Sequence, residues 1–410
     1  MIGKRPLLVF CALLLSAAAG CATARPNQTE RLGKLLFFDT RLSTPPGQSC
    51  AACHMPEAGW TGPDSKINAA GAVYPGAVHT RFGNRKPPSA AYAAASPVLH
   101  YDKEEKLFVG GNFWDGRATG EILGNPAADQ SMGPFLNPVE QNNPDEKAVV
   151  DKVCTSEYAT LFRDVYGKRI CGDVTKAYRA IALAIAAFEA STEVNPFSSK
   201  FDVFYENTRK AGLDVEDIDE KNRKDFGGLG LDDGELEGLA LFNTRGKCSA
   251  CHVLEPGPGG TPPLFTDFTY DNLGFPRNGR NPWYGMPAGF NPEGAQWVDK
   301  GLGGFLATRK DWEGHADANM GKHKVPTLRN VDRKPSPDLV KAYGHNGYFK
   351  SLKEIVRFYN RRDGKPAAWP PPEVEKNVNT AELGDLRLTD REEDAIVAFL
   401  KTLTDGTMRR

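Results

Sequence analysis

The sequence predicts a mainly α-helical chain built as two tandem, related domains with long loops between their helices. Three observations carry this. Apolar residues recur at helical spacing late in each half, in Ala184-Ile-Ala-Ala-Phe188 and Ala395-Ile-Val-Ala-Phe399. A Cys-x-x-Cys-His pattern occurs twice, beginning at Cys50 and at Cys248, and each copy follows a Gly-x-x-Leu-Phe string. Glycine (42) and proline (30) are over-represented in the 410 residues, which favours loops over long regular sheets.

Composition bounds the rest. Hydrophobic residues at 40% and charged residues at 25% supply a packed core and argue against general disorder, and the length allows two or three domains. Lys plus Arg (51) nearly cancels Asp plus Glu (52). A nucleic-acid binder or a polybasic membrane sensor needs a one-signed field, so both classes are excluded.

Taken in chain order, residues 1–24 read as a signal peptide. Lys4 and Arg5 precede an apolar run over residues 7–19 that is too short to span a bilayer permanently. Two cleavage readings compete. Ala22-Thr23-Ala24 fits ordinary small-x-small cleavage, whereas Ala18-Ala19-Gly20-Cys21 approximates a lipoprotein box and would leave a lipid anchor on Cys21. Either way the mature protein is expected in the periplasm. The first domain is assigned to 25–210, opening on a helix around Gly33-Lys-Leu-Leu36-Phe37. Cys154 and Cys171 have no histidine close behind and, in an oxidising compartment, read as a disulfide. A charged, Gly/Asp-rich stretch over 211–233 suits a linker. The second domain, 234–410, opens on Gly238-Leu-Ala-Leu241-Phe242 with Asp232 and Asp233 as caps, carries a helix at 351–360, and closes on a helix whose capping box is Thr389-x-x-Glu392.

Cys50-Ala-Ala-Cys53-His54 and Cys248-Ser-Ala-Cys251-His252 are haem attachment motifs. The two thiols add across the haem vinyl groups, and the adjacent histidine is then placed to ligate iron. A zinc knuckle or redox dithiol would use the same Cys-x-x-Cys spacing, but not a histidine immediately after each pair in an exported chain. The chain is therefore expected to bind two covalent haem c groups, in two cytochrome c-like haem domains.

Further strings occur in order along the chain: Leu36-Phe-Phe-Asp39-Thr-Arg41-Leu-Ser43, Phe113-Trp114-Asp115-Gly116-Arg117, Gly133-Pro134-Phe-Leu-Asn137-Pro138-Val-Glu140, and Val325-Pro-Thr-Leu-Arg329-Asn330-Val. With both haem motifs they resemble the bacterial diheme cytochrome c peroxidase and MauG superfamily over essentially the whole mature chain. The resemblance implies a peroxide-reacting haem on His54, with Glu140 and Gln130 in its distal pocket and Pro134 shaping that pocket. A carboxylate there moves a proton between the peroxide oxygens. It implies that Trp114 lies between the haems and carries charge. Trp114 and Gln130 are farther apart here than in relatives, and the additional residues around Ile122–Ala127 read as an inserted loop.

The second haem, on His252, is implied to be the electron-transfer centre. Its sixth ligand in the peroxidases is a methionine; the matching place, fourteen residues after His345, holds Tyr359, as in the MauG branch. A phenolate is a hard donor that favours oxidised iron. His79 lies near the place of a distal histidine that blocks the first haem in many relatives, although a loop role is equally open. The family's calcium ion would take the Asn84 side chain and the carbonyls of Val340 and Ala342, with Asn84 slightly out of register with the expected Arg-Asn-x-Pro string. Trp283, Trp297, Trp312 and Trp369 are candidates to relay charge outward.

The function implied is that of a hydrogen-peroxide-dependent diheme c-type peroxidase, MauG-like, using high-valent haem iron to oxidise a protein or other electron donor. The alternatives are a cytochrome c peroxidase fed by a small redox protein, and a pure electron-transfer cytochrome.

Overall fold

A computed structural model describes residues 27–406; the leader and Cys21 lie outside the described residues. The helices are α1 (Gln28–Phe38), α2 (Ser65–Ala69), α3 (Pro126–Leu136), α4 (Glu146–Cys154), α5 (Ala159–Tyr166), α6 (Val174–Glu189), α7 (Lys200–Lys210), α8 (Asp233–Asn243), α9 (Gly301–Leu306), α10 (Leu352–Arg361) and α11 (Asp390–Lys401). Two small antiparallel ribbons, β1 (His100–Asp102) with β2 (Leu107–Val109) and β3 (Tyr270–Asp271) with β4 (His323–Lys324), are the strands among the described residues.

The duplicated strings become the same packing motif twice. Leu32, Leu36 and Phe37 of α1 are buried against α6, each worth about 1.5–3 kcal/mol relative to exposure. Gly33 lets the two backbones touch, because a Cβ there would sit 1.9 Å from Ala184 O. Gly238 does the same between α8 and α11, where a Cβ would sit 2.0 Å from Ala395 O. Phe37 meets Phe188 edge to face at 5.5 Å, and Phe242 meets Phe399 at 5.2 Å. Only glycine allows such an approach, so its recurrence in both strings is a packing requirement. Asp232 and Thr389 cap α8 and α11 in full capping boxes with Glu235 and Glu392.

Packing divides the chain earlier than the composition shift does. α7 lies within 25–210, yet Phe201, Phe204 and Tyr205 pack in the second core, with Phe201 beside Phe265 and Phe399. The stretch 211–233 is charged, but Val215, Ile218, Phe226 and Leu231 anchor it on that same core, so it is a packed strap. The sparse apolar residues, not the charges, decide its position. Cys154, at the end of α4, is bonded to Cys171 and closes a loop over α5.

Candidate functional site

Each haem motif folds as one tight turn. The amides of Cys53 and His54 both donate to Cys50 O, and those of Cys251 and His252 to Cys248 O. This brings two thiols and an imidazole to one wall of a cavity. The four motif cysteines are free of disulfides. His54 Nδ1 lies 3.2 Å from Trp60 O and His252 Nδ1 lies 2.8 Å from Phe265 O. A carbonyl can only accept, so each Nδ1 carries the proton and each Nε2 keeps its lone pair for a metal. Trp60 (φ 60°) and Phe265 (φ 55°) share the left-handed conformation that turns those carbonyls inward. Burial pushes both histidines down to about 4, keeping them neutral as ligation requires. The residues fit two covalent haem groups.

The first cavity, about 500 Å³, is lined by Cys50, Cys53 and His54 together with Gln130, Pro134 and Glu140. α3 carries Gln130 and Pro134 and is capped by Asn125, whose side chain accepts from the amides of Ala127 and Ala128. Glu140 follows in a turn whose amide donates to Asn137 O, and its carboxylate accepts from Asn137 Nδ2 at 2.8 Å. Burial raises the Glu140 carboxyl above its ordinary range, opposed by Arg117 and by the Asn137 contact. Glu189, unannounced by any motif, also lines this cavity and is pushed up to about 8 by burial. No spacing rule marks an acid at the end of an apolar helix as cavity-facing.

The second cavity, about 220 Å³, is lined by Cys248, Cys251, His252 and Tyr359. No methionine lines it. The Tyr359 hydroxyl makes no hydrogen bond among the described residues, and its ring stacks on Phe275 at 6.3 Å. Burial raises its phenol above the ordinary value.

Trp114 lines both cavities, as do Lys324, Val325 and Thr327. Its Nε1 donates to Lys86 O at 2.7 Å. The following Asp115 accepts from Arg85, whose guanidinium also takes Asp299 from the second half at 2.7 Å. Burial disfavours the Asp299 charge, yet Arg85 beside it holds its carboxyl well below the usual range. His323, given no role by spacing, stacks on His345 at 3.5 Å next to this ion pair. In the Val325–Asn330 string, Arg329 is fully buried and bonds Asp202 at 2.7 Å.

Other expected residues are placed differently. His79 is exposed and lines neither cavity, so the loop role fits it. Asn84 lines the first cavity and Ala342 the second, while Val340 O accepts from Asn68 Nδ2 at 2.9 Å. Trp283 lines the first cavity and meets Trp297 at 6.2 Å; both are half-buried, as are Trp312 and Trp369.

The chain is 35% identical to the methylamine utilization protein MauG of Paracoccus denitrificans, over 96% of this chain and 93% of that one. The chain belongs to the di-haem cytochrome c peroxidase family. The family model of that description matches residues 27–210. Other family relatives are the cytochrome c551 peroxidase of Nitrosomonas europaea, 28% identical over 91% of this chain and 79% of that one, and the diheme peroxidase BthA of Burkholderia thailandensis. The BthA crystal structure superposes with a TM-score of 0.72 at 30% identity, covering 93% of this chain and 87% of that one. As a family member the chain is a diheme peroxidase, a MauG-like oxidoreductase with two c-type haems.

Proposed function

We propose that the chain is an exported peroxidase that spreads oxidising equivalents over both haems and oxidises a protein or small redox partner outside the cavities. Tyr359 carries this reading: it stands with His252 in a cavity without methionine, and its hydroxyl makes no hydrogen bond among the described residues. What the haem irons supply when bound is the redox chemistry of peroxide cleavage.

The chain's own residues do the rest. Glu140 takes the proton from the inner peroxide oxygen and returns it to the outer oxygen, which leaves as water. Its raised carboxyl pKa suits both halves of that transfer, and Asn137 holds the accepting oxygen in place. Gln130 orients the peroxide, and Pro134 shapes the wall. Trp114, in contact with both cavities, links the two centres, and the Arg85 bridge from Asp115 to Asp299 fixes the loop that carries it.

Export rests on the charged and apolar pattern of residues 1–24, with Cys21 as the residue a lipid anchor would use. Tyr359 at the place of the peroxidases' methionine makes oxidation of a protein the first reading and a reduced redox-protein donor the second. Turnover of hydrogen peroxide by the fully ferric holoprotein tests the reading. Activity without prior reduction is expected; an absolute need to reduce one haem first would favour a cytochrome c peroxidase.

A further inference from the structure

The calcium ion expected between the halves meets a cluster of lysines. In the string Arg85-Lys86-Pro87-Pro88 the place of the asparagine in Arg-Asn-x-Pro is held by Lys86. Its ammonium donates to Thr61 Oγ1 at 3.1 Å and Pro87 O at 3.0 Å, and its amide donates to His345 O at 2.9 Å. Lys341 stands between the two expected carbonyl ligands in sequence and is 4% exposed. It donates to Ala58 O in the first half and to Asn330 O and Arg333 O in the second, at 3.0, 3.4 and 3.0 Å. Lys350 repeats the pattern, donating to Asn68 O at 2.6 Å, Ala70 O at 2.9 Å and Gly347 O at 2.6 Å. Asn68 Nδ2 takes Val340 O, one of the expected calcium ligands.

Calcium requires six to eight oxygen ligands, usually with carboxylates among them. Here Val340 O already accepts from Asn68 Nδ2, and the carbonyls of Ala58, Asn68, Ala70, Asn330, Arg333 and Gly347 around it accept from the side-chain nitrogens of Lys341 and Lys350. None of the three lysines forms an ion pair with a carboxylate among the described residues. The nearest acidic influences are Asp332 on Lys341 and Glu354 on Lys350, opposed by Arg333, Lys334 and Arg280. Burial pushes Lys341 down to about 7 and Lys86 and Lys350 down to about 8, and a divalent cation entering the joint would compete with the donors that already cross-link it.

We propose that the two halves of this chain are clamped by the side-chain amino groups of Lys341 and Lys350 and by the main-chain amide of Lys86 in place of a bound calcium ion, so that the joint works without calcium. The clamp joins carbonyls at 58–70 to those at 330–347, on the wall that Lys86 shares with Trp114. The inference concerns this chain's own joint and stands whether the enzyme's substrate is a protein or a small donor.

The test uses the haem-loaded protein. After dialysis, elemental analysis should find calcium far below one per chain. Calorimetric titration with calcium chloride should give no heat of binding, and a chelator should change neither the melting temperature nor the haem spectrum. One calcium per chain, removed by chelator with a spectral shift, would overturn the proposal. Lys341→Met, which removes the bridge from Ala58 O to Asn330 O and Arg333 O, should melt several degrees lower with no recovery on adding calcium. A variant that melts like the parent, or is restored by calcium, would also overturn it. If that variant does not fold, the calcium measurements on the parent protein decide alone.

Discussion

The indole of Trp114 meets the imidazole of His345 edge to face, with ring centroids 6.4 Å apart. His345 stacks in turn on Phe275 at 5.8 Å, and Phe275 stacks on Tyr359 at 6.3 Å. A run of aromatic rings thus leads from the wall shared by both cavities to the phenol beside His252. Burial, with His323 stacked on it, keeps His345 well below the ordinary histidine range and so uncharged, and its Nε2 has no hydrogen-bond partner among the described residues. Trp114→Phe should therefore retain both haem spectra but lose the electronic communication between them. Near-infrared absorption after peroxide addition checks this; an unchanged band would remove Trp114 from the account.

Tyr359→Met should convert the second haem from a phenol to a thioether ligand and raise its reduction potential, since a thioether favours ferrous iron. Spectroelectrochemical titration reads the shift. Loss of the near-infrared band should accompany it. A potential identical to the parent's would mean that Tyr359 does not ligate.

Glu140→Gln keeps the shape and the Asn137 contact but removes the proton acceptor. The rate of peroxide reaction should fall by about 10²–10⁴-fold, the usual contribution of a positioned acid-base group. Because burial raises the Glu140 carboxyl, the parent rate should fall as pH drops through a midpoint above the ordinary glutamate value of 4.5. The variant should lack that limb. Stopped-flow rates across pH measure both.

Glu189 gives a stability prediction. Its folded-state pKa of about 8 lies above the unfolded value near 4.5. Below both values the two states are equally protonated and the group has no effect. Between them only the unfolded state ionises, so stability falls as pH rises, and the full cost persists above the folded value. Glu189→Gln should match the parent in mild acid and melt higher above pH 8, by an amount on the order of a few kcal/mol. Thermal melts at several pH values test it.

Removing the Cys154–Cys171 bond by double replacement with serine should cost about 3 kcal/mol, the chain-entropy value for a loop of this size. Denaturant titration of the haem-loaded protein is the measurement. The peroxide reaction should survive, because the bond ties α4 and the turn before α6 rather than either cavity.

What could be seen in advance was whatever depends on local chemistry or repetition. Cys-x-x-Cys-His dictates a turn and a ligand, and the two glycines before Phe37 and Phe242 mark equivalent helix contacts. Glu140, Gln130, Pro134, Trp114 and Tyr359 became legible through the family strings, and the structure gathers them into two cavities. What stayed hidden depends on contacts distant in sequence. Nothing near Lys341 says that its ammonium reaches Ala58 O. His323 and His345 show no shared spacing, yet they stack. The strap at 211–233 misleads because its four buried apolar residues are outnumbered by charges.

The most direct test mixes the fully ferric protein rapidly with one equivalent of hydrogen peroxide and follows absorption into the near infrared. The account predicts a fast reaction and a long-lived band from charge shared between the two haems. A protein that stays inert until its second haem is reduced, or that reacts at one haem with no shared band, would contradict the roles given to Tyr359 and Trp114.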